Sequence, residues 1–182
     1  ADIILTTGGA QSNHARQTAA ACARLGLRCV LVLSGDPSAP RQGNLLMDGL
    51  LGADVHVLNI RREERAATMR RFADDLRTQG YTPYEIPLGA STGLGALGYV
   101  VAAGELARQT TERGLRDAVV VVSSSSGGTQ AGLLVGRNLY RQSWPVWGVS
   151  ADSDSTTLTE RVACIAAEAS SSVGIAGPQA QD

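Results

Sequence analysis

The residues best suited to chemistry lie at two junctions where an apolar run gives way to glycine and then to a helical pattern. One is Val119-Val-Val-Val-Ser-Ser-Ser-Ser-Gly-Gly-Thr-Gln-Ala-Gly132. Its four valines predict a strand buried on both faces. Ala131, Leu134, Val135 and Leu139 then fall at the spacing of one helix face. Arg137 and Arg141 sit near the helix end where the dipole favours cations. A helix N-terminus after such a loop points backbone N–H groups outward, and glycine lets a ligand come close to the backbone. The chemistry on offer is anion binding, of a phosphate above all. An ordinary turn whose serines cap the helix has the same composition, and residue types alone leave both readings open.

The second junction is Thr6-Thr-Gly-Gly-Ala-Gln-Ser-Asn-His-Ala-Arg-Gln-Thr18. Ser12 and Asn13 are natural helix N-caps, and capping accounts for one of them. Two small polar side chains and the imidazole of His14 at a helix start also suit contact with a ligand. His14 taken alone is an ordinary surface or cap histidine. His56, between Val55 and Val57, is expected to point off a strand face without a function.

Three familiar phosphate or nucleophile motifs do not fit the serine-rich loop. A P-loop needs a lysine after its last glycine, and none is there. Gly127, Gly128 and Gly132 are not spaced as a dinucleotide-binding fingerprint. No glycine precedes the serines as a nucleophile elbow requires.

The elements that must position these residues alternate along the chain. Strands are expected at Ile3–Thr6, Cys29–Leu33, Val55–Leu58, Thr82–Ile86, Ala118–Ser123 and Val146–Val149. Helices are expected at Asn13–Leu25, Gly43–Leu51, Glu63–Gln79, Leu94–Arg113, Thr129–Arg141 and Thr157–Ala169. This alternation argues for an α/β fold of Rossmann-like, three-layer units with parallel sheets. Gly26, Gly52, Gly80 and Gly114 stand where helices end in a left-handed residue. The Glu63–Gln79 pattern turns Ala66, Met69, Phe72, Ala73 and Leu76 inward, with arginines outward. Pro87-Leu-Gly-Ala-Ser-Thr-Gly-Leu-Gly95 is the best candidate for a domain boundary.

At 182 residues the chain can bury a core in one domain or two small ones. A formal charge of −1 with scattered arginines gives no nucleic-acid surface and no polybasic membrane surface. No apolar run reaches the ~18 residues of a spanning helix. Cys22, Cys29 and Cys164 are odd in number and lack zinc spacing. They read as small core residues in a reducing cytoplasm, with no metal site. All sixteen basic residues are arginine, so the chain has no lysine. It opens at Ala1 inside a strand pattern and stops at Asp182 without a final element, as the middle of a longer protein would.

Gly9-Ala-Gln-Ser-Asn-His-Ala-Arg-Gln-Thr-Ala-Ala20, Gly43-Asn-Leu-Leu-Met-Asp-Gly-Leu-Leu-Gly52, Gly95-Ala-Leu-Gly-Tyr99 and Ser126-Gly-Gly-Thr-Gln-Ala-Gly132 run in order through nearly the whole chain. Together they resemble the D-cysteine desulfhydrase and 1-aminocyclopropane-1-carboxylate deaminase family. The resemblance implies a fold-type II enzyme dependent on pyridoxal 5′-phosphate (PLP), incomplete at both ends. Residues 1–95 would be most of its small domain and 96–182 part of the large PLP-binding domain. The implied activity is D-cysteine desulfhydration, with 1-aminocyclopropane-1-carboxylate deamination and L-cysteate sulfo-lysis as alternatives within the family. A non-catalytic Rossmann-like module for a phosphorylated ligand is the alternative outside it.

By the same resemblance, Asn13 should hydrogen-bond the 3-oxygen of the PLP ring. Ser12 should sit by the substrate carboxylate as a catalytic residue assisting proton transfer. Gln11 and His14 should line the substrate wall with it. Ser125, Ser126, Gly127, Gly128 and Thr129 should hold the phosphate. Ser125 replaces a frequent glycine, and Ala90 and Thr92 stand where Gly and Asn are usual, which leaves the role of Ser91 open. The chemistry needs a lysine amine. In this family that lysine lies before the Gln-Ser-Asn segment, so the full-length form, a small-amino-acid enzyme and homodimer, would be active and this chain alone inert.

Overall fold

The computed structural model describes residues 1–150 and 152–177, which fall into two compact units, one Ala1–Gly89 and the other from Ala90 onward. The division lies inside the glycine-rich stretch 87–95. Residues 178–182, the tail of the expected second domain, lie outside the described residues.

In the first unit, strand β1 (Ile3–Gly9) is followed by helix α1 (Asn13–Leu25), β2 (Arg28–Ser34), α2 (Gly43–Leu50), β3 (Asp54–Leu58), α3 (Arg65–Thr78) and β4 (Pro83–Ile86). The sheet is parallel throughout, in the order β3-β2-β1-β4. Alternation along β2 explains the layers. Cys29, Leu31 and Leu33 face Ala15, Ala19 and Cys22 of α1 and Leu45 of α2. Val30 and Val32, with Ile3 and Leu5 of β1, face Met69 and Ala73 of α3. Helices therefore cover both faces, the three-layer arrangement expected. The inward face of α3 differs in detail: Thr68 is buried and Ala66 is exposed. His56 packs its ring on Phe72 at 4.8 Å and lies 3.2 Å from Asp54.

The second unit contains α4 (Gly93–Glu112), β5 (Val120–Ser124), α5 (Gly128–Leu139), β6 (Val146–Ser150) and α6 (Ser155–Val173). β5 and β6 pair in parallel, with Val121 opposite Trp147 and Ser123 opposite Val149. Helix α5 lies against both strands, and α4 and α6 pack on α5. Gly132 and Gly136 make the close approach of α4 and α5 possible. A Cβ at Gly132 would be 2.6 Å from Tyr99 Cβ, and one at Gly136 would be 2.9 Å from the Val100 carbonyl.

Two expectations are corrected here. β5 is not buried on both faces. Val120 and Val122 pack into the core, whereas Val119 and Val121 are exposed along with Trp147 and Val149 of β6. Only one face of this two-stranded sheet is covered among the described residues, so the valine run was half of a pattern. The cysteines also divide, because Cys22 and Cys29 are buried but Cys164 is exposed on α6. The left-handed glycines stand where expected, with positive φ at Gly26, Gly52, Gly80 and Gly114. No helix among the described residues is long and apolar enough to cross a membrane.

Candidate functional site

In the first unit, the chain steps outward from β1 to β2 and β3 on one side and returns to β4 on the other. The strand order therefore reverses between β1 and β4. In open parallel sheets, ligands bind beyond the carboxyl ends of the strands at this reversal. Gly8, Gly9, Ser12, Asn13 and His14 lie at that end of β1.

The turn into α1 is tight. Ser12 N–H donates to the Gly9 carbonyl at 2.9 Å, and Ala10 N–H donates to the Ser34 carbonyl at 3.0 Å. A side chain at Gly8 would meet Ser12 Cβ and Oγ at 2.7 Å. Ser12 is the N-cap: its Oγ accepts the Ala15 N–H at 3.2 Å. Capping therefore explains Ser12 and leaves Asn13 unexplained.

Asn13 is held from α2. Asn44 Nδ2 donates to Asn13 Oδ1 at 2.8 Å and to the Gln11 carbonyl at 2.9 Å. Gln11 is engaged at both ends of its amide. Its Oε1 accepts the Asn44 N–H at 2.9 Å, and its Nε2 donates to the Gln42 carbonyl at 3.1 Å. The Gln11 side chain thus serves to dock the start of α2 against the β1–α1 turn. This is a different task from the substrate contact expected of it.

His14 is half-buried, and its protonation is legible from its neighbours. Thr6 Oγ1 donates its one proton to the Ile86 carbonyl at 2.8 Å, bridging β1 to β4. It must therefore accept at 2.8 Å from His14 Nε2–H. Burial pushes the imidazole below its ordinary pKa. At neutral pH the ring is uncharged with the proton on Nε2, and among the described residues nothing donates to Nδ1.

In the second unit, β5 ends at a loop that leads into α5. Gly127 has φ 89° and supplies no side-chain cap. The first helical turn instead meets Ser91, whose Oγ accepts the Gly128 N–H at 3.3 Å and lies 2.7 Å from Ser126 Oγ. A Cβ at Gly128 would fall 2.9 Å from that hydroxyl. The helix ladder begins with Ala131 N–H to the Gly127 carbonyl at 3.0 Å. Among the described residues the N–H groups of Thr129 and Gln130 have no acceptor, as the first turn of a helix requires. Unpaired N–H groups, the Thr129 hydroxyl and the positive end of a twelve-residue helix form a donor set that fits a phosphate. Ser125 contributes differently: its Oγ donates to Asp152 at 2.5 Å, and its carbonyl accepts from Arg161. Its side chain fastens the loop.

Asn44, Asp152 and Arg161 were not picked out from the sequence, and Ser91 was noted there without a partner being assigned to it. Asn44 lay inside a recognised motif, beside a glycine at a helix start, which is the one signal that pointed to it. The others act across 27 to 37 residues of chain, where spacing carries no information.

The family described as pyridoxal-phosphate dependent enzymes matches residues 2–179. A D-cysteine desulfhydrase of Serratia proteamaculans is 42% identical over 141 residues, which are 75% of this chain and 42% of that protein. A D-cysteine desulfhydrase of Yersinia pestis is 37% identical over 190 aligned residues, covering 100% of this chain and 56% of the relative. The crystal structure of a homologue of 1-aminocyclopropane-1-carboxylate deaminase superposes with a TM-score of 0.88 at 31% identity, over 98% of this chain and 54% of the other. The chain spans about half the length of the curated relatives it matches.

Proposed function

The chain belongs to the pyridoxal-phosphate dependent enzyme family, and from that premise we propose that it is part of a D-cysteine desulfhydrase-like lyase. The reaction takes D-cysteine and water to pyruvate, sulfide and ammonia. PLP, when bound, supplies the electron sink for the charge that develops at the substrate Cα.

The residues of each unit are assigned their roles separately. In the first, Asn13 offers its amide nitrogen to the 3-oxygen of the ring. Ser12 has its oxygen committed to the helix and its proton left for a substrate carboxylate. Neutral His14 offers a lone pair on Nδ1 along the same wall. In the second, the Thr129 and Gln130 N–H groups and the Thr129 hydroxyl hold the phosphate, with Gly127, Gly128, Ser126 and Ser125 shaping the loop. Fixed donors of this kind need no reorganisation as charge develops, which is where much of their catalytic value lies.

The observation that carries the reading is Asn13, an exposed amide with its oxygen tied down at the sheet's reversal point. The relatives named D-cysteine desulfhydrase support that branch, beside others named for 1-aminocyclopropane-1-carboxylate deaminase. The test is steady-state turnover by the full-length gene product carrying this sequence, supplied with PLP. Sulfide and pyruvate release from D-cysteine should have the largest kcat/KM among D-cysteine, L-cysteate and 1-aminocyclopropane-1-carboxylate. A larger value for the cyclopropane substrate or for an L-amino acid would overturn the branch. No turnover of any of them would overturn the lyase.

A further inference from the structure

We propose that Asn44 is a positioning residue that fixes which atom of the Asn13 amide faces the cofactor. The inference rests on the reading of Asn13 as a PLP contact, and it concerns an orientation that Asn13 cannot set by itself. An asparagine amide rotated by half a turn exchanges a donor for an acceptor with almost no change of shape.

The chain of reasoning starts from atoms whose roles are not in question. The Gln11 carbonyl is backbone and can only accept. The Asn44 atom 2.9 Å from it is therefore the nitrogen. The same nitrogen lies 2.8 Å from Asn13, so the Asn13 atom facing it must be the oxygen. Gln11 holds Asn44 in place from a second direction, because its Oε1 accepts the Asn44 backbone N–H at 2.9 Å. Gln11 Oε1 is oriented in turn, since Nε2 at its other end donates to the Gln42 carbonyl at 3.1 Å. Every step ends on a backbone group, so no amide in the set can flip without losing a bond. Asn13 Nδ2 is thereby left as the outward group, and among the described residues nothing accepts from it. An anionic ring oxygen is stabilised by a donor and repelled by an acceptor.

A carboxylate in place of the Asn44 amide cannot donate to Asn13. It would favour the flipped rotamer, in which Asn13 turns its oxygen outward. The change should not unfold α2, because an acid in the first turn of a helix is favourable.

The experiment is a set of PLP titrations on the full-length gene product: parent, Asn44→Asp, Asn44→Ala, Asn13→Ala, and Asn13→Ala with Asn44→Asp. Each is followed by the pH dependence of the bound cofactor's visible absorption. Asn44→Asp is expected to weaken binding by about tenfold or more, the worth of one hydrogen bond to a charged acceptor. Asn44→Ala should weaken it less, since it removes the constraint without imposing the wrong rotamer. The absorption change should move to higher pH in Asn44→Asp. With Asn13 already alanine, adding Asn44→Asp should change affinity by less than about twofold. An equal loss in the presence and absence of Asn13 would overturn the inference, because Asn44 would then only support the scaffold. So would parental affinity and absorption in Asn44→Asp alongside a weakened Asn13→Ala. A parent that does not bind PLP, or an Asn13→Ala variant that binds as tightly as the parent, would instead overturn the cofactor reading, and this inference with it.

Discussion

His14 Nε2 donates to Thr6 Oγ1 at 2.8 Å because the Thr6 proton is already committed to the Ile86 carbonyl across the β1–β4 junction. One threonine thus fixes both the tautomer of a candidate site residue and the seam on which the site is built. Burial lowers the His14 pKa, so the unfolded chain takes up the proton first. The stabilisation is complete above the 6.5 of a free imidazole and is lost as pH falls below it. NMR of the ring nitrogens should show an uncharged Nε2–H form at neutral pH. Titration at or above 6.5 would contradict the assignment. Thr6→Val should cost about 1 kcal/mol in denaturant unfolding, since it strands a half-buried donor.

Asp48 gives the opposite pH dependence. It is fully buried on α2, neither carboxylate oxygen has a hydrogen-bond partner, and burial pushes its pKa up to about 6 despite nearby Arg16. The folded state holds this proton more tightly than the unfolded chain. Ionisation therefore costs stability as pH rises from 3.8 to about 6, and the whole cost is present above that. Asn at this position carries no charge at any pH. The difference in melting temperature, Asp48→Asn minus parent, should grow as pH is raised through this range. A difference independent of pH would show that the carboxyl is not buried.

Gly136 is where α5 touches α4. A side chain there would press on Ala103 and the Val100 carbonyl. Gly136→Val should destabilise by about 1–3 kcal/mol or more, the range for overpacking a closed contact. An unchanged urea midpoint would mean that the helices do not approach as closely as described.

The absence of lysine has a direct consequence. Incubated with PLP and then reduced with borohydride, the 182-residue chain alone should show no phosphopyridoxyl group on any side chain by mass spectrometry. A modified side chain would refute the view that the reactive amine lies outside this sequence.

Most of the fold was legible because it follows from period and punctuation. Six apolar runs and six helical patterns became six strands and six α-helices among the described residues, with boundaries shifted by a few residues. β5 misled because four valines look the same whether one or two faces are covered, and coverage depends on elements far away in the chain. In the site, a helix start announced Ser12 and Asn13 together. Only the bond from Ser12 to Ala15 separated the cap from the residue left over. Asn44 was invisible as a partner because it meets Asn13 across 31 residues. The same holds for Ser91, which reaches Gly128 across 37.

The central claim is that the start of α5 holds a phosphate belonging to PLP. Its most direct test is equilibrium binding of PLP and of unphosphorylated pyridoxal to the full-length gene product, in the parent and in Gly127→Val. Several charge-assisted bonds from fixed donors should make the parent prefer PLP by about a hundredfold or more. At φ 89° a branched residue is strained, so Gly127→Val should erase most of that preference while leaving pyridoxal binding nearly as it was. Equal affinity of the parent for the two compounds would contradict the account.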